Sequence, residues 1–280
     1  MPSCRLAALP AYLMPLLTVN GASLHYTDEG QGAETIVFAH GLLFDGRMYD
    51  NQVRSLRDRY RCITFDFRGQ GRSEVTQSGY DMDTLADDAA GLIRALDAAP
   101  CHFVGLSMGG FIGMRLGFRS PELVRSLILL DTSADPEPAA NVPRYRVLKH
   151  IARWFGLGIV SGRVLPIVIG RTMLRDPARQ ALIREWTDRI VSNDRVGITR
   201  AVDGVIDRAG VYEEIAAIRV PTLVVVGEED TATVPAKAER IAARIPGARL
   251  VRIPRAGHSA TIEEPAAVTA AIVAFLASIA

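Results

Sequence analysis

Lysine is almost absent from this chain: of 32 basic residues only Lys149 and Lys237 are lysine, and the rest are arginine. The 32 are offset by 31 acids, so a net charge of +1 leaves no electrostatic drive toward nucleic acid. Cysteine is scarce too. Cys4, Cys62 and Cys101 are far apart and in no C-x-x-C spacing. This speaks against a disulfide framework or a zinc site and for a reducing compartment, the cytoplasm. Long apolar runs are missing as well, because Arg, Pro or Asp interrupts each before it could span a membrane. Residues 1–15 read as an N-terminal extension, apolar with a single Arg5 and faintly like a secretion signal. Pro2, Pro10 and Pro15, with no clear small-x-small cleavage site, make secretion the lesser alternative, and the organised pattern begins just after Met14.

What the chain does have is alternation. Leu16–Val19, Asn20-Gly21 and Ala22–Thr27 read as a β-hairpin closed by a type I′ turn. Six short apolar runs follow, at Thr35–Ala39, Cys62–Phe67, Cys101–Leu106, Ser126–Leu130, Thr222–Val226 and Arg249–Ile253. Such runs of Val, Ile, Leu and Phe suit strands buried on both faces of a parallel sheet. Helix-period segments lie at Met48–Arg59, Met82–Ala98, Met108–Phe118, Ala236–Ile245 and Pro265–Ile279. The class is therefore α/β, with helices on both faces of the sheet.

One stretch breaks the alternation. Between Asp131 and Val220 there is no good strand, only helix-like pieces around Val147–Phe155, Pro177–Ile190 and Ile198–Ile206. A structureless loop of that length does not fit a compact domain, so a helical insertion is predicted. Apolar residues such as Trp154, Phe155, Leu157, Ile159 and Val160 are expected to fold it back onto the core, with the remainder lining an apolar acyl pocket. The insertion is locally basic, with thirteen Arg/Lys against eight Asp/Glu from Ala134 to Gly210. That reads as a solvated face, with steering of an acidic substrate or an acyl-carrier partner as the alternative.

The chemistry-bearing residues sit just beyond the apolar runs. Gly105-Leu106-Ser107-Met108-Gly109 fits G-x-S-x-G between a strand and a helix. A turn that tight exposes the Ser107 hydroxyl and leaves the Met108 N–H free at the positive end of a helix dipole. His40-Gly41-Leu42-Leu43 follows Thr35–Ala39, and the Leu42 N–H is placed to be a second oxyanion donor. The His40 side chain is expected to tie its loop down. Asp66 and Arg68 are expected to organise the next loop by hydrogen bonding. Gly257-His258 follows Arg249–Ile253, and Gly227-Glu228-Glu229-Asp230 follows Thr222–Val226. A parallel sheet gathers these strand ends at one edge, where His258 could take a proton from Ser107 and a carboxylate could fix its tautomer. Asp230 is the preferred acid, with Asp131 as the alternative; Glu228 and Glu229 are read as solvated loop charges.

Taken in order, His40-Gly41, Asp66-x-Arg68-Gly69-x-Gly71-x-Ser73, Gly105–Gly110, Gly227–Asp230 and Gly257-His258 before Glu263-Glu264-Pro265 resemble the α/β-hydrolase superfamily. The resemblance runs from about Leu16 onward. It implies an eight-stranded, mostly parallel sheet, a core of residues 16–132 and 211–280, a helical lid at 133–210, and no cofactor or metal. It also implies a serine hydrolase of carboxylic esters with short to medium apolar acyl groups, similar to small bacterial carboxylesterases, enol-lactonases and cofactor-free haloperoxidases. Lactonase, perhydrolase or C–C bond hydrolase activity would use the same three residues, and a ligand receptor on the same fold is the non-enzymatic alternative. Dehalogenases and epoxide hydrolases of this fold use an aspartate nucleophile, and Ser107 at that position argues against both.

Overall fold

In the computed structural model, which describes residues 15–279, Asn20 and Gly21 both take positive φ, 46° and 73°. That is the I′ geometry, and it pairs β1 (Leu16–Val19) with β2 (Ala22–Glu29) in the register Val19↔Ala22. The N-terminal extension lies, save Pro15, outside the described residues. Six more strands follow: β3 (Thr35–Ala39), β4 (Arg61–Phe65), β5 (Cys101–Leu106), β6 (Val124–Leu130), β7 (Thr222–Gly227) and β8 (Arg249–Ile253). They form one eight-stranded sheet in the order β1-β2-β4-β3-β5-β6-β7-β8. Both pairings of β2 are antiparallel and all later pairings are parallel.

The order explains where a site can form. From β3 the chain crosses to β4 on one side, and β5 then takes its place on the other, so the loops after β3 and β5 lie side by side. Such a reversal opens a crevice at the carboxyl ends of the strands. Helices α1 (Asp50–Leu56), α2 (Met82–Ala95) and α3 (Met108–Arg119) belong to the first half of the sheet. Alternate strand residues feed two cores. Val37, Phe103 and Leu129 pack with residues of α2 and α3 on one face, and Phe38, Val104 and Ile128 pack with residues of α1 on the other.

Between β6 and β7 the chain forms five α-helices: α4 (Val142–Phe155), α5 (Leu157–Val168), α6 (Arg171–Arg175), α7 (Gln180–Ser192) and α8 (Arg195–Ile206). The apolar interior of this insertion is continuous with the second core, and Trp186 of α7 lies 5.6 Å from Phe44 in the loop after β3. Helices α9 (Pro235–Arg244), α10 (Ala260–Glu263) and α11 (Pro265–Ala277) complete the chain.

One expectation about the insertion has to be corrected. Leu157 and Val160 are buried as foreseen, but Trp154 is 71% exposed, Phe155 70% and Ile159 60%. Leu148 and Ala152, one helical turn apart, are the buried residues of α4. Trp154 and Phe155 end the helix where the chain turns at Gly156 (φ 96°), and their side chains overhang into solvent.

Candidate active site

The turn between β5 and α3 is as tight as its spacing suggests. Ser107 is held at φ 52°, ψ −109°, a conformation that L-residues rarely adopt. The positions two residues to either side must be glycine. A Cβ at Gly105 would lie 2.2 Å from the Gly109 carbonyl oxygen, and one at Gly109 would lie 2.0 Å from that of Ala39. The Ser107 N–H donates to Leu130 O at 2.9 Å, and the Thr132 hydroxyl donates to Ser107 O at 2.7 Å, so the end of β6 and the turn after it brace the strained residue.

Ser107 Oγ lies 2.9 Å from His258 Nε2, and His258 Nδ1 lies 2.9 Å from Asp230 Oδ2. All three residues are buried, although 123 residues separate Ser107 from Asp230 in sequence. Asp230 is itself well held. Its Oδ1 accepts from the Ala232 and Thr233 N–H groups at 2.8 and 2.9 Å, and its Oδ2 accepts from the Thr233 hydroxyl at 2.7 Å. Burial alone would raise the Asp230 pKa, but attraction to His258 and these donors outweigh it and hold the carboxyl below its ordinary range. Burial alone would lower His258. The charge and hydrogen bond of Asp230, with a smaller contribution from Glu263, outweigh that and raise it.

Asp131 does not reach the histidine. Its Oδ1 accepts from the Gly227 N–H at 2.7 Å, and its Oδ2 has no partner among the described residues. Burial, reinforced by repulsion from Asp230, pushes its pKa well above the ordinary value.

The loop after β3 lies against the serine turn. His40 Nδ1 donates to Gly41 O at 2.7 Å and its Nε2 accepts from the Phe67 N–H at 2.9 Å, which fixes a neutral ring; burial lowers its pKa. Gln70 does what its position in sequence did not announce: its Oε1 accepts from the Leu43 N–H at 2.8 Å. The Gly109 N–H is also engaged, by His40 O at 3.1 Å. Among the described hydrogen bonds none uses the N–H of Leu42 or of Met108. Asp66 accepts from the Gly46 and Arg72 N–H groups at 2.8 and 2.9 Å, and Arg68 forks onto the buried Asp88, so both organise their loop.

Two glutamates belong to the site's frame rather than to solvent. Glu229, read as a solvated charge, accepts from the Thr172 N–H and hydroxyl at 2.8 and 2.6 Å. Helix α6 begins there, and its free N–H groups attract a carboxylate. Glu228 is exposed as foreseen. Glu263 is buried with three donors: Gly257 N–H at 2.9 Å, Ser259 N–H at 3.0 Å and Gly170 N–H at 2.8 Å. The first two flank His258 and the third comes from the insertion. Only a contact 93 residues away completes this role, so no local pattern could have revealed it.

A cavity of about 150 Å³ opens on Ser107 and His258, walled by Leu148, Leu157, Val160, Val164 and Val202 of the insertion and by Phe111 of α3. Its two cations are paired, Arg208 with Glu137 at 2.9 Å and Lys149 with Asp203 at 2.5 Å. Burial pushes the thiols of Cys62 and Cys101 up to about 12, so neither competes as a nucleophile at neutral pH. No group of three or more His, Cys, Asp or Glu side chains among the described residues could hold a metal.

The model of the alpha/beta hydrolase family matches residues 36–272. The chain belongs to that family. It is 34% identical over 269 residues to the "Putative non-heme bromoperoxidase BpoC" of Mycobacterium tuberculosis, covering 92% of this chain and 98% of that protein. Two solved structures share its fold at TM-score 0.86. A thermophilic esterase from Thermogutta terrifontis is 30% identical, covering 92% of this chain and 94% of its own. An enol-lactonase from Burkholderia xenovorans is 33% identical, covering 94% and 100%.

Proposed function

We propose that this hydrolase cleaves neutral carboxylic esters with short to medium, mostly apolar acyl groups, through an acyl-enzyme on Ser107. The observation that carries the reading is the unbroken relay Ser107–His258–Asp230, with both contacts at 2.9 Å, opening on an apolar cavity. Ser107 Oγ attacks the acyl carbon while His258 Nε2 takes its proton, and Asp230 holds the imidazole in the tautomer that can accept it. The N–H groups of Leu42 and Met108 receive the oxyanion, each worth about 3 kcal/mol in the transition state. His258 then protonates the departing alcohol. Water, deprotonated by the same nitrogen, releases the acid and restores the Ser107 hydroxyl.

The cavity limits the substrate. At about 150 Å³ it is smaller than pockets that hold drug-sized ligands, which run roughly 300–1,000 Å³, so a short acyl chain fits and a bulky one does not. Because Arg208 and Lys149 are each neutralised by a carboxylate, no unpaired cation favours an anionic substrate. A cyclic ester meets the same nucleophile and the same donors, and the enol-lactonase relative keeps lactones within the class. The insertion, residues 133–210, serves as the lid that shapes this cavity, with residues 16–132 and 211–280 as the core beneath it. A panel of p-nitrophenyl esters from acetate to dodecanoate, with neutral and carboxylate-bearing lactones, tests the reading. Turnover should peak at short to medium neutral acyl groups and vanish in Ser107→Ala; a preference for carboxylate-bearing substrates would overturn the neutral-cavity argument.

A further inference from the structure

The outward face of the insertion is unusual for a surface in water. Val147 and Trp154, seven residues apart, share one stripe of α4 and are 58% and 71% exposed. Phe155 at 70% and Ile159 at 60% continue it around the corner into α5, and Val191 of α7 lies beside the α5 backbone at Gly158. Single exposed apolar side chains are ordinary, whereas a contiguous group of large ones marks a surface that meets another phase or partner.

Along α4, α5 and α6 the charge has one sign. From Val142 to Arg175 the chain carries seven Arg or Lys and no Asp or Glu. Arg146, Lys149 and Arg171 are paired with Asp207, Asp203 and Glu229. Arg144, Arg153, Arg163 and Arg175 have no carboxylate within ion-pair distance among the described residues. Three arginines border the apolar group directly. The Arg153 guanidinium lies 5.8 Å from the Trp154 ring centroid, Arg163 stands one turn beyond Ile159, and Arg195 of α8 donates to the Trp154 carbonyl at 3.3 Å. Of the acids on neighbouring helices, Asp194 is engaged in capping α8, and exposed Asp188 shares α7 with Arg184.

We propose that this face docks on an anionic lipid surface. Trp154, Phe155 and Ile159 enter the boundary between headgroups and acyl chains, and Arg153, Arg163 and Arg195 face the lipid phosphates. Charge decides the occupant. A second copy meeting the patch about a two-fold axis would set these arginines against themselves, whereas an anionic bilayer offers apolar depth and negative charge together. The inner face of the same two helices walls the cavity over Ser107, through Leu148, Ala152, Leu157 and Val160. Docking therefore holds the cavity wall against a phase in which apolar esters concentrate. That consequence rests on the ester reading; the docking itself does not.

The full chain carries its own probe, since Trp154 is exposed and Trp186, the other tryptophan, is buried. Co-sedimentation and tryptophan emission are measured with vesicles of phosphatidylcholine alone and with equal parts phosphatidylglycerol. Binding with a blue shift, confined to the anionic vesicles and reversed by salt, is expected. Arg153→Gln and Arg163→Gln should each weaken it about fivefold. The double variant Trp154→Ser, Phe155→Ser should lose co-sedimentation with the anionic vesicles, while hydrolysis of a soluble ester and circular dichroism stay unchanged, because neither residue lines the cavity. Absence of binding to anionic vesicles, or equal binding to both kinds, overturns the proposal. So does concentration-dependent self-association that the double variant abolishes, which would make the patch an interface between copies.

Discussion

Ser107, Asp230 and His258 hang from the ends of β5, β7 and β8, strands locked in register by backbone ladders, whereas the cavity above them is walled by helices held by side-chain packing and side-chain hydrogen bonds. Among the hydrogen bonds that hold them are Glu263 to Gly170, Glu229 to Thr172, and Asn193 to Leu43 O and the Gly71 N–H. The contrast assigns two jobs. In the proposed reading the sheet edge sets the chemistry, through residues carried on the turns just beyond the strand ends. In the same reading the insertion sets the fit, through side chains that can be exchanged while the ladder stays whole. Glu263 belongs to both regions, since one carboxylate holds the turn on either side of His258 and the first residue before α6.

The largest effect short of removing the nucleophile falls on Asp230. Asp230→Asn should lower kcat by about 10⁴-fold, because the imidazole is then held in the wrong tautomer. Asp131→Asn should leave kcat near that of the parent protein. The opposite ranking, measured by steady-state kinetics, would move the acid to β6. The pH profile gives an independent check. His258 must be neutral to accept the Ser107 proton, and its pKa is raised, so activity should fall on the acid side with a midpoint above the ordinary histidine value of 6.5. Removing the Asp230 charge should move that midpoint to lower pH.

Glu263→Gln tests the shared fastener. It exchanges a charged acceptor for an amide whose NH₂ cannot accept, and hydrogen bonds to a charged group are worth about 1.5–3 kcal/mol each. A loss in kcat of about tenfold is expected, with a downward shift in the acid limb because Glu263 also raises His258. An unchanged pH profile would make Glu263 purely structural. On the insertion side, Val164→Phe narrows the cavity. It should raise KM for the longer acyl groups, by about tenfold for each methylene excluded, and leave acetyl turnover intact; uniform loss across chain lengths would contradict the division of labour. The smallest effect is on stability. Phe155→Ser should alter it by no more than about 0.5 kcal/mol, against about 3–5 kcal/mol for Phe103→Ala in the sheet, as read by denaturant melts.

The same contrast governs what could be read in the sequence. β3 and β5 fall where their apolar runs fall, because a strand buried on both faces writes its burial into every residue. The Ser107 elbow is legible because Gly105 is a steric necessity of the turn itself, while Gly109 is required by the close approach of Ala39 in β3. Helix α5 was not legible as a helix. Gly158, Gly162 and Pro166 depress its propensity, and its apolar residues show no polar face to set a period. Trp154 and Phe155 were expected inward because hydrophobicity reports preference, not which turn of a helix has something packed above it. Gln70, Glu229 and Glu263 act through partners 27, 57 and 93 residues away, and no local spacing encodes those meetings.

The central claim is that Ser107, and no other residue, forms the covalent bond. Incubation of the whole protein with a fluorophosphonate, followed by peptide mass mapping, tests it directly. A single adduct on Ser107, absent from Ser107→Ala together with ester turnover, is the predicted result. Labelling that persists in Ser107→Ala, or hydrolysis that survives the substitution, would contradict the account.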